Sequence, residues 1–271
     1  MRFHHASATS ALPPNPDTSV KMSSGLWPDP DRSNAGSERT TTRRPDGAAS
    51  PPLRERLVAE FIGTFFLTFT VCTVLGSRAA AGALGPVAVG AILTTMVFAG
   101  GHISGGYYNP AVSFAVMIRG KLSPDEFASY AVAQLAAGTV GGLLARAVVG
   151  TTERVVGTSW KIFVVELLFT FALAYVVLNV ATARATAGNS YFGLAIGFTV
   201  LAGALAVGGI SGGIFNPAVA LGVEFVHALA WSNYWMYVVS STLGAGLAAV
   251  AFSYVQPTET KGGPSATVAQ R

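Results

Sequence analysis

The sequence predicts an all-α membrane protein: six transmembrane helices plus two re-entrant half-helices, arranged as an inverted internal repeat. Three observations predict it. Of 271 residues, 51% are hydrophobic and only 11% charged, where a soluble chain carries about a quarter charged. Between residues 57 and 255 charge nearly vanishes, and apolar stretches of roughly 20 residues recur, the length that crosses about 30 Å of hydrocarbon. One ten-residue phrase also occurs twice, "ISGGYYNPAV" at 103–112 and "ISGGIFNPAV" at 210–219.

Residues 1–52 are rich in Pro, Ser, Thr, Asp and Arg and have no apolar periodicity. Such a stretch buries too little surface to offset its ordering entropy, so a disordered tail is expected, without the apolar core of a signal peptide. A membrane domain follows over 53–255, in halves of about 53–150 and 160–255, and 256–271 form a C-terminal tail. Spans are expected at about 57–75, 84–99, 127–149, 162–183, 192–207 and 234–255. Two further apolar segments, 110–119 and 217–226, are too short to span. Ten residues of helix rise about 15 Å, half the hydrocarbon.

The starts of these short segments are informative. Asn is a strong N-cap residue and Pro suits the first helical position. Asn109-Pro110-Ala111 and Asn216-Pro217-Ala218 therefore each open a half-helix, and the "ISGG" before them permits a re-entrant loop. A lone Asn-Pro pair would read as a turn; two in register within a duplicated apolar chain read otherwise. The duplication extends to "AEFIGTFFLTF" and "VELLFTFALAY", whose Glu60 and Glu166 precede Asn109 and Asn216 by 49 and 50 residues. Each half makes three crossings, an odd number, so the second copy enters the membrane upside down. The half-helices then dip in from opposite faces and meet near the midplane. Irregular backbone is tolerated there only where protein buries it or where it lines a water-filled cavity. Two positive helix ends aimed at one place repel cations, while a neutral polar molecule can accept hydrogen bonds from the Asn amides. A glutamate inside a span is costly. Because Glu60 and Glu166 are repeat mates, both are expected to brace the loops rather than to transport.

Other classes fit less well. The isoelectric point is near 9.4, yet no basic stripe is interleaved with exposed aromatics, so nucleic acid is not an expected partner. Lys and Arg instead set orientation: with the N-terminus inside, all but four of the 17 basic residues (Arg78, Arg146, Arg154 and Lys161) fall on the cytoplasmic side. This predicts both termini in the cytoplasm, with the lipid bilayer of a plasma membrane as surroundings. Cys72, the single cysteine, reads as packing. No Cys/His metal spacing, Gly-flanked serine or carboxylate cluster is present, so neither an enzyme nor a metal or other cofactor is expected. An ion-coupled secondary transporter would share the inverted repeat. It would also leave unpaired ionisable groups on the path, where here only the two matched glutamates lie at depth. Glu224 and His227 are close enough to cap the second half-helix, and Trp231, Trp235 and Tyr237 read as an interfacial belt.

Over about residues 55–255 the chain resembles the major intrinsic protein family, the aquaporins and glycerol facilitators. "GHISGGYYNPAV", "ISGGIFNPAV" and the glutamates of "AEFIGTF" and "VELLFTF" carry the resemblance. It implies one pore per subunit, usually in a homotetramer, and passive flow of water or small uncharged solutes. Asn109 and Asn216 match the pore-centre asparagines, and Glu60 and Glu166 the loop-bracing glutamates. Family members normally carry arginine directly after the second motif; this chain has Val219. The other constriction positions fall at Gly213, Ala204 and Val89, where water-selective members usually have an aromatic at the last and a histidine at Ala204. Tyr107 stands where many members have a second histidine, and His102 and Tyr107 are candidates for lining or gating the pore. The glycerol-facilitator Asp is absent too, the run being "NPAVAL".

Small apolar residues at all four positions imply a wider, less polar outer mouth, because selectivity follows pore diameter and lining groups. The loss of arginine removes five donors and a fixed charge. The expected substrates are polyols, urea, ammonia or undissociated metalloid acids such as arsenous acid, with water. The alternative is a water-selective pore whose neighbouring side chains refill the space.

Overall fold

The computed structural model describes residues 51–77, 82–152 and 159–260. The expected N-terminal tail lies outside them apart from its last two residues, as do Arg78, Arg154 and 261–271. The first half comprises α1 (Leu53–Gly76), α2 (Gly85–Ser104), α3 (Pro110–Ile118) and α4 (Pro124–Val149). The second comprises α5 (Ser159–Thr182), α6 (Phe192–Ser211), α7 (Pro217–Phe225) and α8 (Tyr234–Val255), followed by one turn, α9 (Pro257–Thr260). Among the described residues there is no strand, and six helices are long and apolar enough to cross a membrane.

Packing repeats with the sequence. α1 lies on α4 as α5 lies on α8, α1 on α2 as α5 on α6, and α4 meets α7 as α8 meets α3. Across the pseudo-two-fold axis α2 meets α6, and α3 meets α7. Small residues permit the tightest crossings, as they do wherever lipid supplies no hydrophobic drive between helices. Gly138 and Gly142 of α4 rest on the backbone of Ala218 and Gly222, and a Cβ on either would overlap a carbonyl of α7. Large side chains such as Ile62, Phe66, Leu243 and Leu247 point outward, as a lipid-facing surface requires.

Helix ends differ from expectation for local reasons. α1 starts at Leu53 rather than 57 because Arg56, which breaks the apolar run, bonds the Tyr130 hydroxyl at 2.9 Å and Glu126 at 2.8 Å. α4 starts at Pro124, where Ser123 and Glu126 form a reciprocal capping box. α2 runs on through Gly100 and Gly101 to Ser104, since these glycines admit the rings of Tyr108 and Phe192. Tyr237 is not part of an interfacial belt. It is fully buried, while Trp231 and Trp235 are exposed.

The residues after α8 form a helical turn because Glu259 sits between two arginines. It meets Arg119 Nη2 at 2.9 Å with both side chains nearly buried, and Arg184 Nε at 3.6 Å. The Arg119 guanidinium also lies 5.1 Å over the Phe252 ring. Glu259→Gln is expected to free residues 257–260 from the bundle while leaving transport unchanged. Limited proteolysis should then cut there several-fold faster than in the parent chain.

Candidate functional site

The site grows out of two caps. Asn109 and Asn216 share one conformation, φ −157° with ψ 117° and 116°, and each side-chain oxygen accepts the N–H two residues on, from Ala111 and Ala218, at 2.9 Å. Each amide nitrogen then reaches into the other half: Asn109 Nδ2 donates to the Phe215 carbonyl and Asn216 Nδ2 to the Tyr108 carbonyl, both at 2.8 Å. This reciprocal pair joins the two helix N-termini back to back. An amide nitrogen carries two protons, so each asparagine keeps one for a solute. With roughly half a positive charge at each helix end, the junction favours neutral molecules with acceptor lone pairs over cations.

The loops before the caps are held by the two buried glutamates. Glu60 accepts four hydrogen bonds: Oε1 from the Ser104 hydroxyl at 2.7 Å and the Tyr107 N–H at 3.0 Å, Oε2 from the Tyr108 N–H at 2.7 Å and Gln134 Nε2 at 2.8 Å. Glu166 accepts the Ile214 and Phe215 N–H groups at 3.0 and 2.6 Å, and a further bond from Ser211. Both are fully buried. The loops need this restraint because they leave ordinary backbone space: φ is positive at Gly105, Gly106 and Tyr108, and at their mates Gly212, Gly213 and Phe215.

Sequence reasoning missed a second pair of braces. Tyr130 donates its hydroxyl to the Ser104 carbonyl at 2.8 Å, and Tyr237 donates to the Ser211 carbonyl at 2.6 Å. The signal was present, since these tyrosines stand one repeat apart, as Asn109 and Asn216 do. Gln134 was missed as well, and nothing at its mate, Ser241, would have pointed to it.

A narrow cavity of about 20 Å³ borders both asparagines. Each wall residue has its repeat mate on the wall. α1 and α5 give Leu67 with Leu173 and Val71 with Val177; α2 and α6 give Val89 with Ile196 and Leu93 with Val200. The loops and half-helices add Gly106 with Gly213, Tyr107 with Ile214, and Val112 with Val219. Three of the four positions expected at the constriction, Val89, Gly213 and Val219, border the cavity. Ala204 stands behind Gly213, whose added Cβ would meet the Ala204 Cα at 2.9 Å. Tyr107 is on the wall; its near neighbour His102 is an exposed residue in the last turn of α2 and is not. Glu224 is fully buried at the end of α7. His227 turns back over it with φ 62° and its N–H on the Glu224 carbonyl at 3.0 Å, the side chain exposed.

The chain is similar to several known proteins. The chain is 33% identical over 236 residues to Nodulin-26 of Glycine max, covering 81% of this chain and 84% of that one. It is 33% identical to Aquaporin NIP1-1 of Zea mays, covering 76% and 77%. The solved aquaglyceroporin of Plasmodium falciparum superposes with a TM-score of 0.66 at 20% identity, over 77% of this chain and 99% of that one, which shows the shared fold. Residues 48–252 match the description "Major intrinsic protein". An inverted repeat, two capped half-helices joined through their asparagines and these likenesses lead to one conclusion: the chain belongs to the major intrinsic protein family, integral membrane proteins that are passive channels and not enzymes.

Proposed function

We propose that the channel passes small uncharged solutes, namely polyols, urea, ammonia or undissociated metalloid acids such as arsenous acid, together with water. The observation that carries this reading is Val219 on the cavity wall where an arginine would otherwise stand. Beyond the asparagine pair on that side, the wall offers Val71, Val89, Ile214 and the backbone of Gly213. None of these side chains donates a hydrogen bond. A solute leaving the asparagines there sheds no water to satisfy a fixed charge and meets no guanidinium filling the lumen. The selectivity filter of this reading is Val89, Ala204, Gly213 and Val219, within a channel domain of residues 53–255. The channel works as a homotetramer in the plasma membrane with both termini cytoplasmic.

One observation favours the second reading, a water-selective pore: the open volume of about 20 Å³ is room for about one water. Stopped-flow swelling of proteoliposomes separates the two. Flow of urea, glycerol and arsenous acid above that of empty vesicles supports the solute channel; water flow alone supports the other.

A further inference from the structure

The two glutamate braces are repeat mates with different surroundings. Glu60 Oε2 accepts two hydrogen bonds, one from the Tyr108 N–H and one from Gln134 Nε2. Glu166 Oε2 accepts the matching backbone bond, from the Phe215 N–H at 2.6 Å. At the place of Gln134, however, stands Ser241, whose side chain is shorter by a methylene-amide arm. The register is firm, because Tyr130 and Tyr237 bond their serine carbonyls alike and each stands one helical turn before, Tyr130 before Gln134 and Tyr237 before Ser241. α8 lies on α5 as α4 lies on α1, so Ser241 comes to Glu166 as Gln134 comes to Glu60. The second partner of Gln134, Ser113, is matched by Ala220. The second brace thus lacks an amide donor and a hydroxyl that the first one has.

The hydroxyls beside Glu166 bear on what replaces them. Ser241 Oγ is buried and meets no hydrogen-bond partner among the described residues. Neither does Thr170 Oγ, one turn on from Glu166 along the same face of α5. Helical hydroxyls can turn back onto the carbonyl one turn before them, and both neighbours of Ser241 do so: Ser240 donates to the Met236 carbonyl at 2.6 Å and Thr242 to the Val238 carbonyl at 2.7 Å. Ser241 makes no such bond to the Tyr237 carbonyl. Thr64, the mate of Thr170, is also buried without a partner, so Ser241 is what sets the second brace apart. A buried hydroxyl left unpaired is costly, and a buried water needs two to four polar partners. We infer that the second brace holds one buried water molecule, which accepts from Ser241 Oγ and donates to Glu166 Oε2, in the place that the Gln134 amide takes at the first. Thr170 Oγ is its third partner. This water helps to hold the loop that carries Gly213 and Ile214, whichever solute the channel passes.

The experiment is a structure of the full channel in a lipid environment, at a resolution that shows ordered waters, with melting midpoints and water flow for the parent chain, Ser241→Gln and Ser241→Val. The parent chain is expected to show density within hydrogen-bond distance of both Ser241 Oγ and Glu166 Oε2. Ser241→Gln should place an amide nitrogen there, with no separate water and with water flow near the parent's. Ser241→Val fills the space without a donor, and should lower the midpoint by several degrees and water flow several-fold. The inference is overturned if Ser241 is turned onto the Tyr237 carbonyl with no density beside Glu166, or if Ser241→Val keeps the parent's midpoint and flow. If neither variant yields a folded channel, the density in the parent structure decides alone.

Discussion

Glu60→Ala is expected to abolish flow of every solute and to leave protein that inserts into membranes but loses its monodisperse state in mild detergent. Glu60 lies with no exposure among four donors. Gln134 and Ser104 are side chains that can turn away, and Gln134 already reaches the Ser113 hydroxyl at 3.0 Å. The Tyr107 and Tyr108 N–H groups cannot, because the loop that fixes them sits at the asparagine junction. Two buried donors without acceptors cost about 1–3 kcal/mol each, against a total domain stability of about 5–15 kcal/mol. Glu60→Gln should rescue little. An amide presents one oxygen and one NH₂ where four donors converge, so one edge of the site becomes donor facing donor. Swelling rates and size-exclusion profiles of both variants check this. A Glu60→Ala channel with parental water flow would show that the loop holds itself.

Much of this architecture was legible from local pattern. Apolar runs marked the six spans, and the two Asn-Pro phrases marked the half-helices, because a cap and a proline act within one turn of themselves. The glutamate braces were legible through the repeat: a charge that recurs at the same register of two spans asks for a shared partner. What stayed hidden depends on direction or distance. Tyr237 sits among tryptophans in sequence, yet helix rotation turns its ring inward onto the Ser211 carbonyl. The α9 turn rests on Glu259 meeting an arginine 140 residues away, a contact no local window contains. Ala204 occupies the expected register, but whether it borders the lumen or backs Gly213 depends on how α6 packs on the loop.

Val219→Arg is expected to reduce glycerol and arsenous acid flow by tenfold or more while water flow stays within a few-fold. The position is buried in the first turn of α7 and borders the cavity. A guanidinium there would fill lumen on the side whose other wall groups are aliphatic, and it would offer five donors to water. A tenfold loss needs only about 1.4 kcal/mol of added barrier, less than a large solute loses when it must strip water to pass a narrowed mouth. Val219→Leu separates bulk from donors: it narrows the same place without hydrogen bonds, and should slow water and glycerol together.

The most direct measurement is the glycerol-to-water permeability ratio of the parent chain beside Val219→Arg, by stopped-flow light scattering on proteoliposomes matched for protein content. The expected result is glycerol flow clearly above that of empty vesicles in the parent chain and near their level in the arginine variant, with water flow present in both. Water flow without glycerol flow in the parent chain would contradict the solute channel and show that the aliphatic side chains around Val219 close the space an arginine would have occupied.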